Sequence, residues 1–177
     1  HTGTQNGVPR LDLPTIYYSD GPVGPRQGPS IGLPAPLALA ATFNTDLARS
    51  HGTVAASEAR AKGNDAIFAP TVNIARTPLA GRTFEGYGED PWLVSRLGVA
   101  WIKGAQSTGV IGNVKHFAAN NQEGIDIDVT GGQLSQYSPI GLGVFGTRYA
   151  QNSVVDDRTL REIYLPQFEA AVKEAKV

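Results

Sequence analysis

The chain has 177 residues, a net charge of −1 at neutral pH and no cysteine. With 41% hydrophobic and 18% charged residues, it has the composition of a packed domain, or of a piece of one. The balanced charge and the lack of any basic run argue against a nucleic-acid partner, no apolar stretch is long enough to cross a bilayer, and disulfide and thiol chemistry are excluded.

Residues 1–14 are rich in Gly, Pro and polar types and read as an opening loop. TIYYSD (15–20) is a short β-prone run, stopped by GPVGPRQGP. PLALAATF (36–43) is continuously apolar and reads as a strand buried on both faces. Asn44 stands where an N-cap would, before a helix over TDLARSHGTVAASEARAKG that closes near Gly63. AIFAP (66–70) is the next strand. In GEDPWLVSRLGVAWIKGAQSTG, Asp90 caps a helix whose first residue is Pro91. VIGNVKHF (110–117) is the fourth strand. RTLREIYLPQFEAAVKEA is the last helix, with Thr159 and Glu162 at capping-box spacing and Pro166 as a kink or a restart.

Strands alternating with helices call for parallel βα units. Long polar loops follow the strands, which is the layout of a TIM barrel, where chemistry sits at the C-terminal strand ends. A whole barrel needs roughly 250 residues, so the expected α/β fold is an incomplete barrel of TIM type. An open doubly wound sheet is the structural alternative, although no G-x-G-x-x-G follows any strand. The missing initiator Met, the missing signal peptide and a C-terminus inside a helical pattern lead us to expect a natural polypeptide that continues past Val177. The compartment is left open, with a secreted or periplasmic one favoured over the cytoplasm. Residues 124–151 contain six glycines and no period, and read as a loop insertion.

Polar residues gather where strands hand over to loops. SDGPVGPR brings Asp20 and Arg26. RTPLAGRTFEGYGEDP brings Arg76, Arg82, Glu85, Glu89 and Asp90. The fourth strand ends on Lys115 and His116, and NNQEG adds Asn120, Asn121 and Glu123. Each has a plainer reading. Asp20 before Gly-Pro stabilises a turn, Arg82 is a surface arginine, Asp90 is a cap, and His116 is a satisfied core histidine. Lys115 resists such a reading, because lysine is rarely buried without a partner. Neighbouring strand residues face opposite ways. Lys115 and His116 therefore serve one site only if the backbone bends or adopts an unusual peptide geometry there, a strain that functional sites retain. Carboxylate, guanidinium, ammonium and imidazole together suit adjacent sugar hydroxyls, which both donate and accept. No metal-ligand cluster, nucleophilic serine motif or phosphate-cradling glycine loop accompanies them, and no cofactor is expected.

The stretches SDGPVGPR, FAPTVNIARTPLAGRTFEGYGEDP, GNVKHFAANNQE and DDRTLREIYLPQFEAAV closely resemble the N-terminal (β/α)8 barrel of glycoside hydrolase family 3. The resemblance runs over about residues 11–177, apart from 124–151. It is to the β-glucosidase branch, since the N-acetylglucosaminidase branch would place a Pro-Gly-His-Gly type sequence after KHF. The resemblance implies a retaining exo-β-glycosidase acting on terminal, non-reducing β-D-glucosyl residues of a glucoside or oligosaccharide. A xylosidase, another exo-glycosidase of the family, or a non-catalytic sugar-binding fragment are the alternatives.

It also implies roles for particular residues. Asp20 grips hydroxyls at the far end of the sugar, and Arg82, Lys115 and His116 bind its other hydroxyls. Arg26 contacts the sugar or supports Asp20, and Glu85 orients Lys115 or Arg82. The family's nucleophile is an Asp in a later SDW-like motif, and its acid/base typically comes from the following domain. Both are expected beyond Val177. Neither is found in residues 1–177, and Asp126, Asp128, Asp156 and Asp157 match neither. The resemblance therefore implies that the remainder of the same polypeptide completes the site, and that 1–177 alone is inactive and forms no closed barrel. Residues 124–151, with Tyr137, Phe145 and Tyr149, are expected to border the aglycone side.

Overall fold

Four short strands form one sheet in the order β1-β2-β3-β4 in the computed structural model, which describes residues 2–123 and 152–177. Strand β2 (Ile16–Asp20) runs parallel to β3 (Ala66–Phe68), which runs parallel to β4 (Ile111–Gly112). Asp20 lies opposite Phe68, and Ile67 opposite Gly112. The expected insertion at 124–151, with Asp126, Asp128, Tyr137, Phe145 and Tyr149, lies outside the described residues. The expected opening loop contains a strand, β1 (Gly3–Gln5), antiparallel to β2. Its Gly-Thr-Gln sequence is polar and mostly exposed, so no apolar alternation announces it.

The run at 36–43 is the larger correction. It is not a buried strand but holds a short helix, α1 (Pro36–Ala40). Pro36 takes the first helical position, where its missing N–H costs nothing, and Leu and Ala are strong helix formers without β-branching. Pro36, Leu39 and Ala40 are buried while Leu37 and Ala38 are exposed, the stripe of a helix rather than the alternation of a strand.

The two long helices follow their sequence signals. Asn44 caps α2 (Thr45–Ala61), accepting from the N–H groups of Asp46 and Leu47. Gly63 ends it at φ 77°. Asp90 caps α3 (Pro91–Gln106) by accepting from Trp92 N–H at 2.9 Å. The two helices pack on each other and cross closely, α2 also meeting β3 and α3 meeting β4. A Cβ at Gly52 would lie 2.2 Å from the Trp101 carbonyl oxygen, and one at Gly104 would lie 2.0 Å from that of Arg49. Under this seam the core gathers Ile67, Val72, Leu97, Trp101 and Ile102.

The fourth predicted strand forms a ladder only at Ile111–Gly112. Its neighbour offers Pro70 next, which has no N–H to donate. Pairing resumes at one parallel bridge, Thr71 to Lys115, with Val72 N–H donating to the Lys115 carbonyl at 2.8 Å. The final helical region consists of α4 (Asp157–Thr159), a wide turn at Leu160–Tyr164, α5 (Pro166–Ala170) and a second wide turn at Ala171–Ala175. Pro166 acts as a restart: Leu165 N–H reaches back to the Leu160 carbonyl, one residue further than in an α-helix. The last turn ends at Lys176, which has φ 61°. Val177 N–H then donates to the Ala171 carbonyl at 3.3 Å, and the Val177 side chain packs on the core. The predicted capping box is displaced. Asp156 is the cap, accepting from the N–H and the hydroxyl of Thr159 at 2.9 and 2.7 Å. Thr159 is thus a donor to the cap, and Glu162 pairs with Arg158. The whole is a mixed α/β fold with a partial parallel sheet, the arrangement of an incomplete TIM-type barrel.

Candidate functional site

The three parallel strands point the same way, so their C-terminal ends bring the residues that follow them to one side. Asp20 is the last residue of β2. The loop after it turns sharply: a Cβ at Gly21 would meet the Gly24 carbonyl oxygen at 2.7 Å, and Gly24 has φ 111°. That turn carries Arg26 back, its N–H donating to the Asp20 carbonyl at 2.9 Å, and its guanidinium reaches the Asp20 carboxylate at 3.5 Å. The stretch after β3 supplies Asn73, then Arg82 and a single 3-10 turn at Thr83–Glu85. The stretch after β4 supplies Lys115 and His116, and the peptide bond between them is cis.

All six residues singled out by the resemblance meet in one connected network. Lys115 Nζ donates to Asp20 Oδ1 at 2.5 Å. Arg26 bridges Asp20 to Glu85, 3.4 Å away. Glu85, only 2% exposed, also takes Arg82 at 2.5 Å. Arg82 NH1 then donates to His116 Nε2 at 3.1 Å and to Glu123 at 3.3 Å. Glu85 therefore orients Arg82 and Arg26, while Lys115 is held by Asp20. Asp20 serves its turn as well, accepting from Gly21 N–H at 3.0 Å. Asp90 is only a cap, and Arg76 stands apart, donating to the Tyr164 hydroxyl at 3.1 Å. Val177 is a packing residue and no member of this network. Among the described residues no group of three or more His, Asp or Glu side chains could hold a metal ion.

The electrostatics follow from burial and pairing. Burial opposes ionisation of Asp20, but the Lys115 ammonium, the Arg26 guanidinium and the Gly21 N–H outweigh it, so its pKa lies below the usual value. Burial also lowers the pKa of Lys115, and the Asp20 carboxylate recovers only part of that. For Arg82, Glu85 and Glu123 overcome the burial cost and hold the guanidinium charged. His116 is pushed down to about 4 by burial and by the adjacent cations Arg82 and Lys115, so it is neutral at physiological pH.

Two participants escape a reading of the sequence. Asn73 forms three hydrogen bonds to His116, through its backbone N–H, its backbone carbonyl and its ring. The available signal is a lone amide in the apolar run PTVNIA just past a strand. Glu123 belongs in the sequence only to a weak polar group, yet it joins Arg82 and Asn120. Behind Arg82 and His116 lies a cavity of about 30 Å³, lined also by Thr71 and Asn73. That volume suits a single water rather than a sugar.

A network of this kind can hold a polyhydroxylated ring. Lys115 has three N–H donors, of which Asp20 takes one, leaving two for neighbouring hydroxyls. The carboxylates Asp20, Glu85 and Glu123 are each paired with a cation, which suits acceptors and not a proton-donating acid.

The chain is similar to known proteins in sequence and in fold. The family model described as the glycosyl hydrolase family 3 N-terminal domain matches residues 5–137. A β-glucosidase of Rhizobium radiobacter is 41% identical over 98% of this chain and 19% of its own length. β-Glucosidase B of Emericella nidulans is 39% identical over 94% of this chain and 18% of its own. Among solved structures, DesR, a β-glucosidase from Streptomyces venezuelae in complex with D-glucose, superposes with a TM-score of 0.79 at 40% identity, over 97% of this chain and 19% of that one. β-Glucosidase 3B from Thermotoga neapolitana in complex with glucose gives 0.77 at 36% identity, over 98% and 23%. The chain thus spans about a fifth of the length of the curated relatives it matches.

Proposed function

The chain belongs to glycoside hydrolase family 3, and we propose that it supplies the glycone-binding part of a retaining β-glucosidase. Its substrate is the terminal, non-reducing β-D-glucosyl residue of a glucoside or oligosaccharide. The observation that carries this reading is the pairing of Asp20 with Lys115 beside Arg82 and His116, at the ends of three adjacent parallel strands. Solved structures that superpose on this chain are β-glucosidases in complex with glucose, which supports the same ligand class here.

Within this reading, Asp20 accepts from two hydroxyls of the sugar while Lys115 and Arg82 donate to their neighbours. Fixed donors and acceptors of this kind align the anomeric carbon. They raise turnover only where their bonds tighten in the transition state. The retaining reaction further needs two carboxyl groups about 5–5.5 Å apart, one nucleophile and one acid/base. Neither role is assigned to a residue of this chain.

The test uses the product of the complete open reading frame with aryl β-D-glucoside and aryl β-D-xyloside as substrates. The reading expects turnover of the glucoside, competitive inhibition by glucose, and loss of both in Asp20→Ala. A preference for the xyloside would identify a xylosidase. Glucose binding without turnover of either would identify a non-catalytic sugar-binding protein.

A further inference from the structure

Asn73 treats His116 as a strand partner would. Its side-chain Nδ2 donates to the His116 carbonyl at 2.9 Å, and its Oδ1 accepts from the His116 backbone N–H at 2.9 Å. These two bonds settle which end of the amide is oxygen without reference to the ring, because a backbone N–H only donates and a carbonyl only accepts. The same Oδ1 lies 2.8 Å from ring Nδ1. An amide oxygen cannot donate, so Nδ1 carries the hydrogen. On the far side of the ring, Arg82 NH1 lies 3.1 Å from Nε2. A guanidinium only donates, so Nε2 presents its lone pair. Both partners demand the same tautomer, and they do so independently.

We propose that Asn73 is a positioning residue of the sugar site: it locks His116 as the neutral Nδ1–H tautomer, so that Nε2 is the acceptor that aims the Arg82 guanidinium. The inference rests on the sugar-binding reading for its consequence, though not for the tautomer itself. Without the lock, the ring would be free to place its hydrogen on Nε2, against the guanidinium. Arg82 would then lose one of the three partners, Glu85, Glu123 and His116, that fix its plane.

The net effect of the charged groups around the ring also keeps it neutral. Arg82 and Lys115 oppose its protonation, and this outweighs the opposite pull of Glu123 and Glu85. Asn73 is uncharged and adds a hydrogen-bond acceptor at Nδ1 without drawing a second proton onto the ring.

Two variants and one spectrum test this in the product of the complete open reading frame. Asn73→Asp keeps the acceptor but sets a carboxylate against Nδ1–H, which favours imidazolium. The acid limb of glucose inhibition should move upward by about one pH unit or more. Asn73→Ala removes the lock without adding charge. Its glucose affinity should fall about tenfold at neutral pH, the order expected when one Arg82 hydrogen bond to the sugar is lost, with no upward shift of the limb. Protein labelled with 15N-histidine, with His116 assigned through His116→Gln, should show a protonated Nδ1 and an unprotonated Nε2 in the wild type. The opposite tautomer would overturn the proposal whether or not either variant folds. An unmoved acid limb in Asn73→Asp, in a protein that binds glucose, would reduce Asn73 to a packing role. If the wild type binds no sugar, the tautomer measurement still decides the lock, and only the sugar-site reading is lost.

Discussion

His51 is buried, His116 is half-buried, and both hold a depressed pKa, yet one lies between helices and the other at the strand ends. His51 sits in the seam between α2 and α3. Its Nε2 donates to the Pro34 carbonyl at 3.1 Å, and its Nδ1 accepts from the Trp101 indole at 3.0 Å. His116 sits at the strand ends with the opposite tautomer, donating from Nδ1 and accepting at Nε2. Around His51 the partners are a carbonyl and an indole, and burial is the main cause of its lowered pKa. Around His116 burial acts together with two cations, themselves balanced by Asp20, Glu85 and Glu123. One histidine joins elements into a core. The other belongs to a cluster of charges that is expensive to assemble and therefore calls for a use.

The comparison breaks most visibly at Glu85. Glu85→Ala leaves Arg82 and Arg26 without their shared anion. Losing one member of a buried pair costs about 3–5 kcal/mol, and the lower end applies because Arg26 is largely solvated. Urea melts should show a loss of about 3 kcal/mol together with weakened sugar binding. Stability unchanged from wild type would mean that the polar half is held by its fold and not by its charges.

Asp20→Ala should act on function more than on folding. Removing charge-assisted hydrogen bonds worth about 1.5–3 kcal/mol each lowers kcat/KM on an aryl glucoside about a hundredfold. A change of less than about twofold would remove Asp20 from the site.

Trp101→Phe probes the other half. It strands the His51 Nδ1 acceptor in the core, costing about 1–2 kcal/mol, and should leave glucose affinity as it was. Coupled loss of affinity would show that the two halves are not separable.

The smallest effect is in pH. The folded pKa of His51 lies below its ordinary 6.5, so the neutral ring contributes stability that is complete above pH 6.5 and declines as pH falls below it. His116, held down to about 4 in the fold, adds to the same decline, because its unfolded ring takes up a proton from pH 6.5 downward. Between pH 6.5 and 5 the melting temperature should therefore decline while glucose affinity holds, since the folded His116 ring stays neutral until near 4. A parallel decline in both would assign the pH response to the site instead.

The same division separates what is legible in the sequence from what is not. Asn44 and Asp90 are legible because a cap bonds N–H groups two or three residues away, within the same short window. The helix at Pro36–Ala40 reads as a strand because an unbroken apolar run carries no period, and its length alone does not separate a strand from a helix. β1 goes unseen because its partner β2 supplies the reason for it. At the site, Asp20, Arg26, Arg82, Glu85, Lys115 and His116 are visible as motifs, but their pairings are not. Lys115 meets Asp20 across 95 positions, and Asn73 meets His116 across 43. No local pattern encodes such distances. The choice of Asp156 over Thr159 as cap turns on which oxygen is already spoken for.

If the Asp20–Lys115–Arg82–His116 cluster receives the glycone, a crystal structure of the product of the complete open reading frame soaked with glucose should show it. One sugar should lie at the strand ends, with hydroxyl oxygens within about 3.2 Å of the Asp20 carboxylate and the Lys115 ammonium, and with Asn73 still bonded to His116. Glucose bound elsewhere, with the Asp20–Lys115 pair closed and untouched, would contradict it.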